Sequence, residues 1–423
     1  MICAVVDAYG IARYLPETLR RYGVEPVHVR SQSPDIHLAY RPEDFGTDIE
    51  HLGDPAATAR ALRDLGVDVV IAGAESGVLL ADALSAALGT RGNGMTRPTV
   101  RRDKYLMAEA VAAAGLATAH TLRTDDPERA VAWARGLGLR PVVLKPVASA
   151  GTDRVFFCDT DDEIRRAHAL IMSGHDRYRS PDTAVLVQEC LVGAEHFVNT
   201  VSVDGVHRTV EVWRYNKRPA PGGRSINDFD QPLPPGSPAY EALSAYTAQV
   251  LDALEVRNGA AHTEVMLTEA GPVLVESAAR PGGAQLPHVV RACLGTDQLD
   301  CLAQSIAHPQ RVLDGTLRTS RIERYLRYVN LITPRDGVVP DHDGWAPVRA
   351  LESYTDMVLT IPSGDPAPET VDLVTSAGYV YLTSSDPARI EKDYLRLRAL
   401  ESTGLYETHA ADRPGTAAEG VPR

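Results

Sequence analysis

Over residues 1–100, short apolar runs alternate with amphipathic stretches. ICAVVDA, VEPVHVRS and VDVVIAGA read as strands, while Tyr14–Arg21, Pro55–Leu65 and VLLADALSAALG read as helices. This alternation predicts a parallel sheet with right-handed crossovers, a Rossmann-like unit. Its first turn, DAYGIARY, lacks GxGxxG, so no dinucleotide is expected there. From residue 101 the periodicity changes repeatedly. Asp103 can cap a helix beginning KYLMAEAVAAAGL, and Asp161–Ser173 reads as a second helix. Pro141–Leu144, Arg154–Cys158, Val185–Val187 and Glu195–Val203 read as strands, with Gln188–Gly193 as a linker. Helices return over 284–310, where Asp297 is the expected N-cap of QLDCLAQSIAH. Short β-like runs fill 318–385 (RIERYLRYVNLI, DMVLTIP, GYVYLTS) before a helix over Pro387–Ser402, which predicts a small α+β lobe. The tail after Glu407 has the composition of a disordered segment.

The chemistry concentrates in GAAHTEVMLTEAGPVLVESAARPGG, residues 259–283. Strands over His262–Thr268 and Pro272–Ser277, joined by a Glu269–Gly271 turn, place Glu264 opposite Glu276 with Cβ atoms roughly 5 Å apart. Two facing carboxylates repel unless a cation lies between them, and Mg2+ suits oxygen ligands shared with phosphates. An ordinary hairpin with two solvated glutamates is the alternative, and a turn one residue longer would separate the two carboxylates onto opposite faces. Arg280 and the Gly282-Gly283 pair follow at once, offering a fixed cation and a closely approachable backbone.

Four other stretches add to this. Glu75-Ser76-Gly77 falls past a strand's carboxyl end, where α/β sheets place ligands; Glu75 either meets substrate or caps the next helix. Lys104, in the first turn of its helix, has the wrong sign for the helix dipole, so it either faces an anion or is a surface lysine. Lys145 ends a strand and is followed by a small-residue loop, Ala148–Thr152; Ser149, Gly151 and Thr152 suit phosphate oxygens, although a tight hairpin is the bland reading. It is not a Walker loop. Gln188, Glu189 and the Leu191 backbone can meet a base edge, and Glu195 a ribose diol, or all can be polar residues of a hinge. Arg208, Arg214, Lys217, Arg218 and Arg224 gather around a single acid, Glu211, and PAPGGRS supplies a hinge, so the segment is either a lid over an anion or a solvated basic loop.

Composition narrows the field. At 423 residues the chain holds two or three domains. A net charge of −13 argues against a nucleic-acid or anionic-membrane partner, so phosphate must be met by local cations. The five cysteines form neither a CxxC pattern nor a disulfide framework, which favours the cytoplasm. MICAVVDAYG reads as a first strand and not as a signal peptide, and no apolar run approaches 18 residues.

Lys104, the Lys145-Pro146 loop, QECLVGAE, YNK and HTEVML…VLVESAARPGG, in that order, resemble the ATP-grasp superfamily. More narrowly the chain resembles stand-alone carboxylate–amine ligases, including bacterial L-amino acid ligases, over about residues 1–405. The resemblance implies a pre-ATP-grasp domain over 1–100, nucleotide-binding and catalytic lobes over 101–310, a C-terminal lobe over 311–407 and a tail over 408–423. It implies ATP and Mg2+ (or Mn2+) as cofactors, small carboxylate and amine substrates, and a homodimer. Lys104 and Lys145 match the lysines on the α- and β-phosphates, Ala148–Thr152 the phosphate lid, and Gln188, Glu189 and Leu191 the adenine hinge. Glu195 matches the ribose ligand, Lys217 a γ-phosphate lysine, Glu264 and Glu276 the metal carboxylates, and Arg280 the arginine on the transferred phosphate. Ala278 departs from the family, many of whose members carry Asn two residues after the second glutamate. The implied reaction forms an amide through an acyl phosphate, with Glu75 or His262 as proton acceptor. A biotin-carboxylase-like bicarbonate-activating subunit and a non-catalytic nucleotide sensor are the alternatives; the chain lacks Met-Lys-Met.

Overall fold

The structure, a computed structural model, describes residues 1–31, 41–147, 154–174, 183–219, 225–283, 285–372 and 374–406. The expectations for Ser149, Gly151, Thr152, Arg224 and the tail 408–423 lie outside the described residues. The chain divides into two units: Met1–Asn216 with Asp230–Arg324, and Lys217–Phe229 with the chain from Tyr325 onward.

Among the described residues, the strands of the first unit fall into three sets. Strands β1 (Ile2–Val6), β2 (Glu25–Arg30), β3 (Asp48–Glu50) and β4 (Val69–Ala72) pair in parallel in the order β3-β2-β1-β4. Side-chain alternation explains why both faces are covered. Ala4 and Val6 pack with Leu62 of α2 (Pro55–Asp64) and Leu84 of α3 (Val78–Leu88), while Cys3 and Val5 pack with Leu15 and Leu19 of α1 (Leu15–Arg20). The periodicity does not announce strand β3, which is three residues long and half-exposed.

The second sheet runs β5-β8-β6-β7, from β5 (Thr121–Thr124), β6 (Val142–Pro146), β7 (Phe156–Cys158) and β8 (Val185–Glu189), all antiparallel. Helices α5 (Pro127–Leu137) and α6 (Asp161–Met172) cover Val142, Leu144, Val185 and Val187. The register pairs Val143 with Gln188 and Lys145 with Leu186, so Lys145 and Gln188 share the opposite face. Gln188 and Glu189 therefore end a strand and do not form a linker. Similarly, β7 begins at Phe156, because Arg154 adopts a left-handed turn conformation with φ +50°.

The third sheet of this unit runs β13-β12-β9-β10, from β9 (Ala194–Val203), β10 (Val206–Pro219), β12 (Gly259–Thr268) and β13 (Gly271–Ala278). Helices α4 (Lys104–Ala113) and α7 (Pro238–Ala253) bury Val198, Val212, Val265 and Leu274 on one face. On the other face α9 (Gln298–Ala307), which follows α8 (Pro287–Leu294) and precedes α10 (Gln310–Leu313), covers Val201 and Val203. Farther along that same face the β9 positions are Asn199, Phe197 and Glu195.

In the second unit, strand order is β11-β14-β18-β16: β11 (Ser225–Pro232), β14 (Tyr325–Asn330), β16 (Tyr354–Leu359) and β18 (Gly378–Ser384). β15 (Gly337–Val338) pairs with β17 (Pro366–Ala367), and helices α11 (Ala346–Arg349) and α12 (Pro387–Ser402) complete an α+β lobe. Its core joins Val329, Trp345, Val380 and Leu382 to Ile390 and Leu397. Arg398 lies beneath, donating to Asp228 and to the buried Glu401 at 2.5 Å. Among the described residues no helix is long and apolar enough to cross a membrane.

Candidate active site

The β12–β13 hairpin turns more tightly than the sequence suggests. Thr268 pairs with Gly271, leaving only Glu269 and Ala270 in the loop, as two-residue hairpins prefer. Gly271 has φ +118°, and Thr268 Oγ1 accepts from Ala270 N at 3.2 Å. Carried on unbroken, that register would set Glu264 against Val275. Instead the ladder shifts between Glu264 and Val265: Val265 faces Leu274, and Glu264 faces Glu276. Val275 is the extra residue of a β-bulge. The turn is one residue shorter than expected and the bulge restores the facing carboxylates.

Across β9 the same face adds Glu195 opposite Met266, Phe197 opposite Glu264, and Asn199 opposite His262. β10 adds Glu211 opposite Asn199 and Trp213 opposite Phe197. Two residues on, Tyr215 donates its hydroxyl to Glu264 at 3.2 Å; burial, then Glu264, pushes that phenol well above its ordinary range. His262 Nε2 lies 3.6 Å from Glu264 Oε1. Glu211 is buried, which pushes its acid up to about 7 against the pull of Asn199. The Trp213 indole N–H lies beside it without completing a hydrogen bond of good geometry.

Two lysines complete this face. Lys104 begins α4, whose N-cap Asp103 accepts from Tyr105 N and Leu106 N, and its ammonium donates to Glu276 Oε1 at 2.6 Å. Lys145 is buried on β6. Burial, reinforced by Lys104, lowers its ammonium to about 8 even though Glu276, Glu264 and Glu195 pull the other way. Lys104 therefore faces an anion, the carboxylate of this same hairpin.

Glu75 follows β4 in a single turn and caps no helix: its oxygens accept from Arg102 and, at 3.0 Å, from Arg280 Nε. Burial raises its acid, but Arg280 and Arg102 outweigh that, and it ends below the ordinary range. Arg280 also donates to the Pro281 carbonyl at 2.7 Å. Gly282 N donates to Gln298 Oε1 at 2.8 Å, and a Cβ there would stand 2.8 Å from Asn199 Oδ1 and 2.9 Å from His262 Nδ1. Gly283 is exposed.

The remaining predicted residues are spread over other elements. Gln188 is buried and donates to Thr121 Oγ1 at 3.2 Å, and Glu189 accepts from His120 N at 3.2 Å. Leu191 lies between β8 and β9, half-buried. Lys217 is exposed on β10, where the chain has entered the second unit. Sequence reasoning missed Arg102, Asn199, Glu211 as a buried carboxyl, and Tyr215. Strand alternation was the available signal: every second residue back from Lys217 gives Tyr215, Trp213 and Glu211, and Glu195 leads to Asn199.

The donor set fits a hard divalent cation. Two carboxylate groups share one face, a donor set of the oxygen type that Mg2+ takes while it keeps waters and shares substrate phosphates. Ala278, buried opposite His262, adds no ligand.

No protein-family model matches the sequence. Dapdiamide A synthase of Enterobacter agglomerans is 31% identical over 414 residues, spanning 95% of this chain and 96% of that one. The chain belongs to the ATP-grasp carboxylate–amine ligases. The L-arginine-specific L-amino acid ligase of Bacillus subtilis is 21% identical over 299 residues, 70% of each chain. The crystal structure of L-amino acid ligase from Bacillus licheniformis superposes with a TM-score of 0.72 at 16% identity, covering 94% of this chain and 97% of that one, and shows the shared ATP-grasp fold. The chain is thus an ATP-dependent ligase that forms C–N bonds on small molecules. The bicarbonate-activating and sensor alternatives are not favoured.

Proposed function

We propose that this ligase joins the carboxylate of one small acid to the amino group of another, with an amino acid as at least one partner. The observation that carries the reading is Glu264 facing Glu276, with Lys104, Lys145 and the Arg280–Glu75–Arg102 cluster around them.

Lys104 and Lys145 would hold the α- and β-phosphates, Lys217 the γ-phosphate, and Ser149, Gly151 and Thr152 the lid over them. Gln188, Glu189 and the Leu191 backbone would take the adenine and Glu195 the ribose. Glu264 and Glu276 would hold Mg2+, or Mn2+ in its place. The ion supplies neutralisation of phosphate charge, which phosphoryl transfer needs more than covalent help. The acid's carboxylate oxygen attacks the γ-phosphorus and ADP leaves, giving an acyl phosphate. The amine nitrogen then bonds to the acyl carbon, the C–O bond to phosphate breaks with its electron pair on the phosphate, and the nitrogen loses a proton. Arg280 and Arg102 offer a guanidinium pair to substrate carboxylate or phosphate oxygens, beside the Gly282-Gly283 backbone. Glu75 stays ionised between them, which makes it a poor proton acceptor and a good ligand for a cationic group. The acidic chain and this chemistry support a cytoplasmic enzyme acting on metabolites, with a homodimer as the expected assembly.

The test is ADP release with ATP and Mg2+ against pairwise pools of amino acids, other small carboxylates and amines, with product masses read alongside. ADP appearing only with one pair, and a product lighter than their sum by one water, establishes the substrates. Absence of ADP with every pool, despite ATP binding, would overturn the reading.

A further inference from the structure

Glu276 shares a face with Glu264 because β13 carries the bulge at Val275, and that bulge is gripped from outside the sheet. β13 is an edge strand, so N–H groups that turn away from β12 have no further strand to meet. Leu274 N donates to Tyr246 Oη of α7 at 2.8 Å, and Ser277 N donates to Met107 Sδ of α4 at 3.2 Å. In a regular strand the groups turned away recur at every second residue. Here they are three residues apart, so the two acceptors fit the strand when one extra residue lies between them. Beyond the bulge, Thr263 Oγ1 and Ser277 Oγ, 2.8 Å apart, pin the register.

Tyr246 is the firmer of the two acceptors, since a thioether accepts weakly. Its ring is buried in the core against the hairpin, and burial pushes its phenol up to about 12, so the hydroxyl keeps its proton. An amide N–H only donates and a carbonyl only accepts. The hydroxyl therefore accepts from Leu274 and gives its own hydrogen to Ala117 O, in the segment that follows α4. Thr118, next in that segment, also bridges to Leu274. What the bulge decides is the side of the sheet on which Glu276 emerges. With Val275 drawn into line, Val265 would still face Leu274, but Val275 would face Glu264. Glu276 would then turn to the side where Leu274 and Val265 pack with α4 and α7, away from both Glu264 and Lys104.

We propose that Tyr246 is a positioning residue for the metal carboxylates: anchored to Ala117, its hydroxyl holds the Leu274 N–H and so keeps the Val275 bulge that turns Glu276 toward Glu264. This role rests on the reading that Glu264 and Glu276 hold a divalent cation.

Tyr246→Phe removes one oxygen and leaves the ring in the core. Calorimetry on the full-length protein compares binding of a non-hydrolysable ATP analogue with Mn2+ and with EDTA. In the wild type Mn2+ strengthens binding. In Tyr246→Phe that strengthening should shrink about tenfold, within the cost of an orphaned buried donor, while the affinity in EDTA does not fall, because Lys104 keeps its charge. Deleting Val275 joins Leu274 directly to Glu276, so an unbroken ladder by itself sets Glu276 against Glu264. Tyr246→Phe with Val275 deleted should therefore regain the Mn2+ effect, which a general weakening of the fold would not allow. In the metal-free protein, amide hydrogen exchange in Tyr246→Phe should quicken over Val273–Ala278 and stay unchanged over α9. A full Mn2+ effect in Tyr246→Phe, or an equal loss of affinity with Mn2+ and with EDTA, overturns the role. So does a folded double variant that stays weak. Where the deletion unfolds the protein, exchange decides, and Val273–Ala278 as protected in Tyr246→Phe as in the wild type overturns the role. A wild type that gains nothing from Mn2+ sinks the metal reading instead, so the two failures are told apart.

Discussion

Lys145 makes nucleotide binding depend on pH in a calculable way. Its ammonium is lowered from 10.5 to about 8, by burial first and by Lys104 second. A bound polyphosphate adds negative charge and raises it again, so ATP binds best to the protonated lysine. The sign follows: affinity is full below the free protein's value of about 8 and falls as pH rises through it. Between pH 7 and pH 9 the affinity for ATP should drop about tenfold, or ~1.4 kcal/mol. At pH 9 binding should also take up about nine-tenths of a proton from buffer, by the same linkage. Calorimetry with a non-hydrolysable ATP analogue at fixed Mg2+ and ionic strength, in buffers of different ionisation enthalpy, measures both quantities. Lys145→Met, uncharged at every pH, should bind weakly at pH 7 and show no such decline. A wild-type affinity flat between pH 7 and pH 9, or an equal decline in Lys145→Met, would refute the reasoning.

Other perturbations follow from the same geometry. Glu276→Gln should lower turnover on the order of a thousandfold while circular dichroism stays native, since it removes a charge from the reacting centre and little volume; near-normal turnover would remove Glu276 from the metal site. Gly282→Ala should cost about 1–3 kcal/mol in urea unfolding, because its Cβ meets Asn199 Oδ1 and His262 Nδ1 below 3 Å, whereas Gly283→Ala meets nothing within 4 Å among the described residues and should leave the midpoint unchanged. In the second unit, Arg398→Met strips the guanidinium from the buried Asp228 and Glu401 and should cost about 3–5 kcal/mol, read as a lowered Tm. Chelating divalent ions with EDTA should stop ADP release, and Mg2+ or Mn2+ should restore it.

Much of the fold is legible in the sequence because it rests on local alternation. The parallel sheet follows from Cys3–Val6 facing both ways, and α12 spans Pro387–Ser402 as its periodicity predicts. The facing of Glu264 and Glu276 is also legible, though by two compensating errors. The expected three-residue turn has two residues, and a bulge at Val275 supplies the missing one. Nothing in Pro-Val-Leu-Val-Glu marks Val275 among its apolar neighbours, because a bulge belongs to the pairing of two strands. The Glu75–Arg102–Arg280 cluster is illegible for another reason: its members lie on three elements, joined only by tertiary packing. The Glu211–Asn199–His262 chain crosses three strands in the same way, and a buried carboxyl cannot be told from a surface one by its letter.

The Lys104–Glu276 ion pair has a consequence for how ligands arrive. In the resting protein each of these charges already has its counter-ion, so neither phosphate nor cation meets a vacant partner. If phosphate oxygens take Lys104 while a divalent ion takes Glu276, the event is a double exchange in which one internal salt link is traded for two external ones. Either ligand alone would have to strand one charge of the pair. The site would then behave as an AND gate for nucleotide and metal, discriminating against free polyphosphate and free cation by the same contact.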